Sequence, residues 1–291
     1  MKKINKLMTV FAAMIAAATL GGCAAQGREE EAYIPPVEEQ EEIAPPAQTP
    51  ELPELPEISE LPEVTEPETP EVAIPETPVE KTVTYLCVTA DGVNIRSGAG
   101  TGYSSRGTAE KSTLYACTGG SGGWLKTEYR GNTAYISEKY CKEVAIKSSD
   151  SELIEKVISE GCKLLGTPYV YGATRLHDGR GNMLKGFSTG AFDCSSLMQY
   201  IFYKGADKLL DVNTRTQVKQ GRTVSKSELK RGDLMFFTNS SRKNLSGVER
   251  IGHVALYLGD NYILHTASDY AKIEQITSAR WNNFIQAQRI L

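Results

Sequence analysis

Histidine, tryptophan and, over most of the chain, proline are scarce. The 291 residues hold three His and two Trp, and beyond residue 80 a single proline, Pro168. Three histidines and six scattered cysteines offer no Cys/His spacing that resembles a zinc site. No nucleic-acid-binding motif occurs either. The one pronounced apolar run, Leu7 to Leu20, has fourteen apolar or small residues, too few for a comfortable membrane span. What these absences leave is an N-terminal leader, a charged proline-rich stretch and a proline-poor remainder long enough for two modest domains.

The leader carries Lys2, Lys3 and Lys6 before the apolar run, as a signal peptide over residues 1–22 would. It ends in Leu20-Gly21-Gly22-Cys23, which resembles a bacterial lipobox. That resemblance implies lipidation of Cys23 and anchoring to the outer face of a bacterial membrane, where two or more acyl chains hold a protein stably. Between residues 24 and 80 lie twelve of the thirteen prolines and 17 Glu against one basic residue, Arg28. Proline at this density excludes helix and sheet, and like charges repel, so residues 23–80 are expected to be an extended, unpacked linker. In the polyproline conformation it could span on the order of 170 Å. The overall charge of −4 hides a split: +3 in the leader, −16 in the linker and +9 in residues 81–291. A basic folded part suits an anionic wall polymer or a membrane surface, and export disfavours nucleic acid as a partner.

Residues 82–143 show short alternating runs (Val83–Val88, Leu114–Cys117, Trp124–Thr127 and Thr133–Ile136) separated by Gly- and Ser-rich turns. They predict a small all-β barrel or sandwich. Asp91 to Gly98 and Gly123 to Lys126 resemble a bacterial SH3-like domain, which implies wall-peptide binding or the shaping of one edge of a cleft. Trp124 is expected in the core of so small a domain. Cys87 and Cys141 are the cysteine pair to test for a disulfide, since first and last strands of a small barrel can be neighbours. An odd cysteine count in this domain argues against a full framework and favours unpaired, small hydrophobic cysteines. Residues 150–291 form the second folded piece. Ser149 and Glu152 look like a capping box opening a helix, with an apolar stripe at Leu153, Ile154, Val157, Ile158, Leu164 and Leu165 and a stop at Gly166. Cys162 lies near that stripe and is expected to be inert. Ala173 to Thr189, with His177, reads as a polar surface loop beside the site. Gly232 to Phe237 enters a buried strand, and the last strand falls near Phe284 to Leu291.

Reactive chemistry concentrates in Gly190-Ala191-Phe192-Asp193-Cys194-Ser195-Ser196. Leu197, Met198 and Ile201 have helical spacing, so Asp193 is a candidate N-cap and Cys194 the first helical residue. There the unpaired N–H groups and the helix dipole favour thiolate over thiol. His253 and His265 fall in one predicted β-hairpin with a turn at Asp260-Asn261. A plain two-residue turn puts the two histidines on opposite faces. A three-residue loop, or a bulge, puts them diagonally on the same face. If they work together, one of the latter must hold.

Asp193-Cys194-Ser195, Gly252-His253-Val254 and His265, preceded by Gly166-Thr167-Pro168-Tyr169-Val170-Tyr171-Gly172, resemble the NlpC-type cysteine peptidases of bacterial cell walls. Arg215-Thr216 with Gln220-Gly221, and Gly232-Asp233-Leu234, match the same pattern in order. Two departures stand out: Ser196 where the family often has Gly, and a long segment from Ala173 to Thr189. The resemblance implies an α+β, papain-like domain, with a nucleophile-bearing helix packed on an antiparallel sheet. It also implies a thiol mechanism with Cys194 as nucleophile, His253 as base and His265 orienting it, without metal or cofactor. The Cys194 N–H is the oxyanion candidate, by position. Tyr169, Asp193 and Ser195 are implied as substrate-binding residues, and Arg215, Thr216 and Gln220 as supports. The implied reaction is hydrolysis of the peptidoglycan stem peptide, typically between γ-D-glutamate and a diamino acid, by a monomer at the cell wall. A muramoyl amidase, an acyltransferase, or a non-catalytic wall-binding lipoprotein are the alternatives. Arg231-Gly232-Asp233 spells an adhesion tripeptide, which the strand-entry reading discounts.

Overall fold

A computed structural model describes residues 80–291. The leader, Cys23 and nearly all of the proline-rich stretch lie outside the described residues. Among those described, no helix is long and apolar enough to cross a membrane.

The N-terminal part contributes eight strands: β1 (Thr82–Val88), β2 (Val93–Arg96), β3 (Ser105–Ala109), β4 (Leu114–Ala116), β5 (Gly119–Ser121), β6 (Trp124–Tyr129), β7 (Asn132–Ser137) and β8 (Cys141–Lys147). The remainder runs α1 (Glu152–Lys163), α2 (Cys194–Ala206), α3 (Thr214–Gln217), β9 (Arg222–Val224), β10 (Leu234–Phe237), β11 (His253–Gly259), β12 (Tyr262–Ala267), β13 (Tyr270–Gln275), α4 (Ser278–Asn282) and β14 (Phe284–Arg289). The fold is α+β, with helices packed on an antiparallel sheet and an SH3-like β region on the N-terminal side. The two parts share backbone: one nine-stranded sheet has the order β8-β1-β4-β13-β12-β11-β10-β14-β9, with Ile273 of β13 paired to Leu114 of β4. A second, five-stranded sheet (β3-β2-β7-β6-β5) completes the N-terminal part.

One apolar core runs through both parts, from Leu86, Ile95 and Ile136 to Leu197, Ile201 and Val254. A smaller one, including Met235, Phe237 and Ile263, fills the other face of the sheet under Trp281 and Phe284. Such a sheet, buried on both faces, explains why β10 reads as an unbroken apolar run, Leu-Met-Phe-Phe, with all four residues buried. Arg231 ties three elements together at the seam. Its guanidinium donates to Glu155 Oε1 (2.7 Å) and Oε2 (2.8 Å) on α1, to Tyr85 Oη (2.9 Å) on β1, and to the Leu258 carbonyl (2.8 Å) on β11. Asp233 is buried too and paired with Arg289, so neither charged end of the adhesion-like tripeptide is offered to a partner.

Several local expectations are corrected. The start of α1 is not capped by a Ser149–Glu152 box: the N-cap is Ser151, and Glu155 is the residue that reaches back, accepting from the Ser149 N–H at 2.7 Å. Leu153 drops out of the apolar stripe and is exposed, while Val157 and Ile158 are buried. Trp124 is half-buried, while Tyr85, Tyr115 and Tyr129 take the core. The five described cysteines are free, in line with the expectation of unpaired residues. The β1–β8 register places Cys87 opposite Lys142 and Cys141 opposite Val88, so alternation sends the two sulfurs to opposite faces.

Candidate active site

The site begins with the cap of α2. Asp193 takes an extended conformation (φ −95°, ψ 174°), and its Oδ1 accepts from the Ser196 N–H at 2.8 Å. Ser196 answers, its Oγ accepting from the Asp193 N–H at 2.9 Å. The hydroxyl at this position therefore closes a capping box. Asp193 Oδ1 also accepts from Ser195 Oγ (3.0 Å), and Oδ2 accepts from Arg175 Nη2 (2.8 Å) and the Gly172 N–H (3.2 Å). A carboxylate has about four acceptor sites, and all are taken. Asp193, 4 % exposed, holds the entrance of the helix rather than waiting open for a ligand. Ser195 Oγ lies 3.1 Å from the same Arg175 guanidinium.

Cys194 opens α2 at the floor of a groove and is 8 % exposed. Burial, reinforced by the charge of Asp193, pushes its thiol up to about 11, against the pull of the Val254 and Ser195 N–H groups and of Arg175. Loss of solvent thus works against the thiolate that the helix terminus is expected to favour.

Backbone geometry brings the histidines to one face. Asp260 and Asn261 both have positive φ (47° and 66°), as a two-residue mirror-image turn needs. A register shift between Tyr257 and Gly259 then restores the pairing Tyr257↔Ile263 and Leu256↔Leu264. The bulge, not a longer loop, is what places His253 diagonally from His265. Their rings meet edge to face (centroids 5.1 Å apart, 81° between planes), with His253 Nε2 3.0 Å from His265 Nδ1.

Behind His265, its Nε2 lies 3.0 Å from Glu274 Oε1 on β13, and Arg280 Nη2 on α4 donates to the same oxygen at 2.9 Å. Burial would raise the Glu274 carboxyl, but the hydrogen bond from His265 and the charges of His265, Arg280 and Lys272 hold it well below the usual carboxylate range. Burial lowers His265 below its ordinary value in spite of Glu274. His253 is lowered further by burial, then by His265 and Arg280. Both rings are neutral at pH 7.

The groove has two halves, of about 450 and 440 Å3, which share Tyr169, Cys194, Asn239 and Gly252. His253 and Arg280 line one half; Arg175, Asp193, Ser195, Arg215 and Arg242 line the other. Every lining residue falls between 169 and 283, so the N-terminal part does not edge the groove. Tyr169, whose hydroxyl burial and Cys194 raise, stands where the halves meet. Of the expected supports, Gln220 is one: it accepts from the Asp211 N–H and donates to the Leu209 carbonyl. Thr216 donates to the carbonyl of Asn213, the N-cap of α3, but Arg215 lines the groove.

Two residues went unnoticed in the sequence. Arg175, inside the long polar segment, gave no signal there. Glu274 did give one: His265 pairs with Lys272, so strand alternation puts Glu274 diagonally on the same face. His177, expected on a surface loop, is 0 % exposed, with Nδ1 accepting from the Gly179 N–H (3.0 Å) and its ring against Tyr203. It is a packing residue outside the groove.

With this geometry in place, comparison with known proteins is decisive for the domains. Residues 166–289 match the NlpC/P60 family, and residues 91–142 match the bacterial SH3 domain. The chain carries an NlpC/P60 domain behind a bacterial SH3 domain. The chain is similar to the peptidoglycan DL-endopeptidase CwlO of Bacillus licheniformis, 32% identical over 140 residues, covering 47% of this chain and 28% of that protein. It is also similar to the gamma-D-glutamyl-L-lysine dipeptidyl-peptidase of Bacillus subtilis, 32% identical over 123 residues, covering 42% of this chain and 35% of that protein. Among solved structures it is similar to the peptidoglycan hydrolase RipB of Mycobacterium tuberculosis, at 30% identity and a TM-score of 0.37, covering 48% of this chain and 65% of that one. The chain spans between a quarter and about half of the length of the first curated relatives. The NlpC/P60 match takes in the cap, the sulfur and both histidines.

Proposed function

We propose that this protein is a cell-wall hydrolase that cuts an amide bond within the peptidoglycan stem peptide, between γ-D-glutamate and the diamino acid. The observation that carries the reading is one groove lined both by a cysteine on the first turn of a helix and by a histidine whose Nε2 is engaged by a second histidine. Cys194 Sγ attacks the carbonyl as its proton passes to His253, forming the C–S bond. His253 returns that proton to the leaving amine as the C–N bond breaks. Water, losing a proton to His253, then splits the thioester and the thiol is restored. Because thiol and imidazole both rest neutral, proton transfer accompanies attack. The Cys194 N–H serves the developing oxyanion. Tyr169 and Ser195 contact the peptide, and Asp193 holds Ser195 and Arg175 in place. Anchoring through a lipid on Cys23 would set this monomeric enzyme at the outer face of the membrane, with the proline-rich stretch as its reach.

Both halves of the groove are lined by Cys194, which supports a substrate with residues on either side of the bond that is cut. Incubating the full chain with defined tripeptide and tetrapeptide stems, followed by mass spectrometry, tests this. Two fragments split at the γ-glutamyl bond are expected, and none with Cys194→Ala. With the same stems still joined to their muramoyl sugar, release of whole stems would mean an amidase, joined products an acyltransferase, and tight binding with no cleavage a wall-binding protein.

A further inference from the structure

Glu274 is the ionised group nearest the histidine pair, and the hydrolytic steps above make no use of it. Its Oε1 is shared between His265 Nε2 (3.0 Å) and Arg280 Nη2 (2.9 Å), and Lys272 is a further cation acting on it. His265 is 1 % exposed, so no solvent competes for its nitrogens. A neutral imidazole carries one proton. If His265 held it on Nδ1, a bare Nε2 lone pair would face a carboxylate oxygen at 3.0 Å, two acceptors in contact. The proton must sit on Nε2. His265 Nδ1 is then bare and must accept from His253 Nε2–H across their 3.0 Å contact. That assignment leaves one nitrogen of His253, Nδ1, without a proton, on a ring that lines the same groove as Cys194.

We propose that Glu274 is a positioning residue: through His265 it fixes the tautomer of His253, so that the bare Nδ1 serves Cys194. Arg280 holds the carboxylate ionised and aimed. The buried pair of rings therefore has one proton arrangement instead of two, set from outside the sulfur's own surroundings. The inference rests on the hydrolase reading for its kinetic consequence, but the tautomers are observable without turnover. The charged groups that face this relay are Glu274 and Lys272 from β13, Arg280 from α4, and Asp193 and Arg175 beside the sulfur.

With three histidines in the chain, 15N-histidine labelling of the full protein and long-range proton–nitrogen spectra can assign each ring, His177 being identified by its absence in His177→Gln. At pH 7.5 the wild type is expected to show Nε2–H on both His253 and His265. Glu274→Ala should spread both rings over two tautomers and lower kcat by roughly tenfold to a hundredfold, below the ~10^4 that a wrong tautomer costs a serine triad, with KM within about twofold. Glu274→Gln keeps an acceptor without the charge. It should retain Nε2–H, lose less kcat than Ala, and shift the acid limb of kcat/KM to lower pH, since Arg280 is then unopposed beside the imidazoles. Melting curves report whether either variant has loosened the sheet, a defect that would leave that limb in place. An Nδ1–H form of His265 in the wild type, or unchanged tautomers in Glu274→Ala, overturns the inference. A chain with the expected tautomers that cleaves no stem peptide would instead retire the hydrolase reading alone.

Discussion

At Cys194 two physical effects oppose each other, and their balance determines how the sulfur behaves. The helix terminus and the Val254 and Ser195 N–H groups favour the anion; burial beside Asp193 disfavours it and wins, leaving the thiol at about 11. His253 is lowered, so its protonated form is also rare at neutral pH. A neutral pair has a testable signature. Alkylation of Cys194 by iodoacetamide, followed by peptide mapping, should accelerate about tenfold per pH unit between pH 7 and 10, because only the thiolate reacts. A rate already level below pH 7 would show a thiolate–imidazolium pair instead. The position of Cys194 at the first turn, capped by Asp193, was legible in the sequence, since short-range signals set both. Its ionisation was not, because burial depends on groups from β11 and the 173–189 segment that only the fold brings near. His177 shows the same limit: its polar, glycine-rich neighbours say surface, yet Tyr203 and Gln199 enclose it.

Among the elements, the β11–β12 hairpin decides whether there is a site. Alternation narrowed the choices to a three-residue loop or a bulge, and the chain uses the bulge. No residue pattern could choose between them, because both give the same pairing beyond the turn. The turn also reaches further than its own hairpin. Asn261 sits at φ 66°, donates to the Ile276 carbonyl at 3.0 Å, and accepts from Trp281 Nε1 at 2.8 Å. Trp281 belongs to α4, the helix that carries Arg280. Asn261→Ala should therefore cost about 2 kcal/mol of stability, from left-handed backbone and an unpaired indole N–H, and should lower kcat as Arg280 loses its support. Thermal melts and stem-peptide kinetics on Asn261→Ala and Asn261→Asp check this, the Asp variant keeping the acceptor. Unchanged melting and kinetics in the Ala variant would disconnect the turn from the site.

For the molecule as a whole, the sequence divides into a small β region and an α+β region, and their separate folds were readable from turn spacing and helix signals. Their shared nine-stranded sheet was not, because pairing between strands far apart in the chain leaves no local trace. Arg231, at strand entry, is the clearest case: it looks like a turn residue but bonds α1, β1 and β11 together. The two parts should then unfold in one calorimetric transition. Arg231→Leu, which strands Glu155 and the Tyr85 hydroxyl, should lower stability by roughly 3 kcal/mol for both at once. Two transitions, only one of them moved, would show independent parts. The groove itself is lined by residues 169–283 alone, so the SH3 domain does not cover it. What the groove does is tested most directly by weighing the products that the full chain and Cys194→Ala release from a stem peptide still joined to its muramoyl sugar. A single cut inside the stem, by the wild type only, is expected; a cut at the sugar, or equal cleavage by the Cys194→Ala protein, would contradict it.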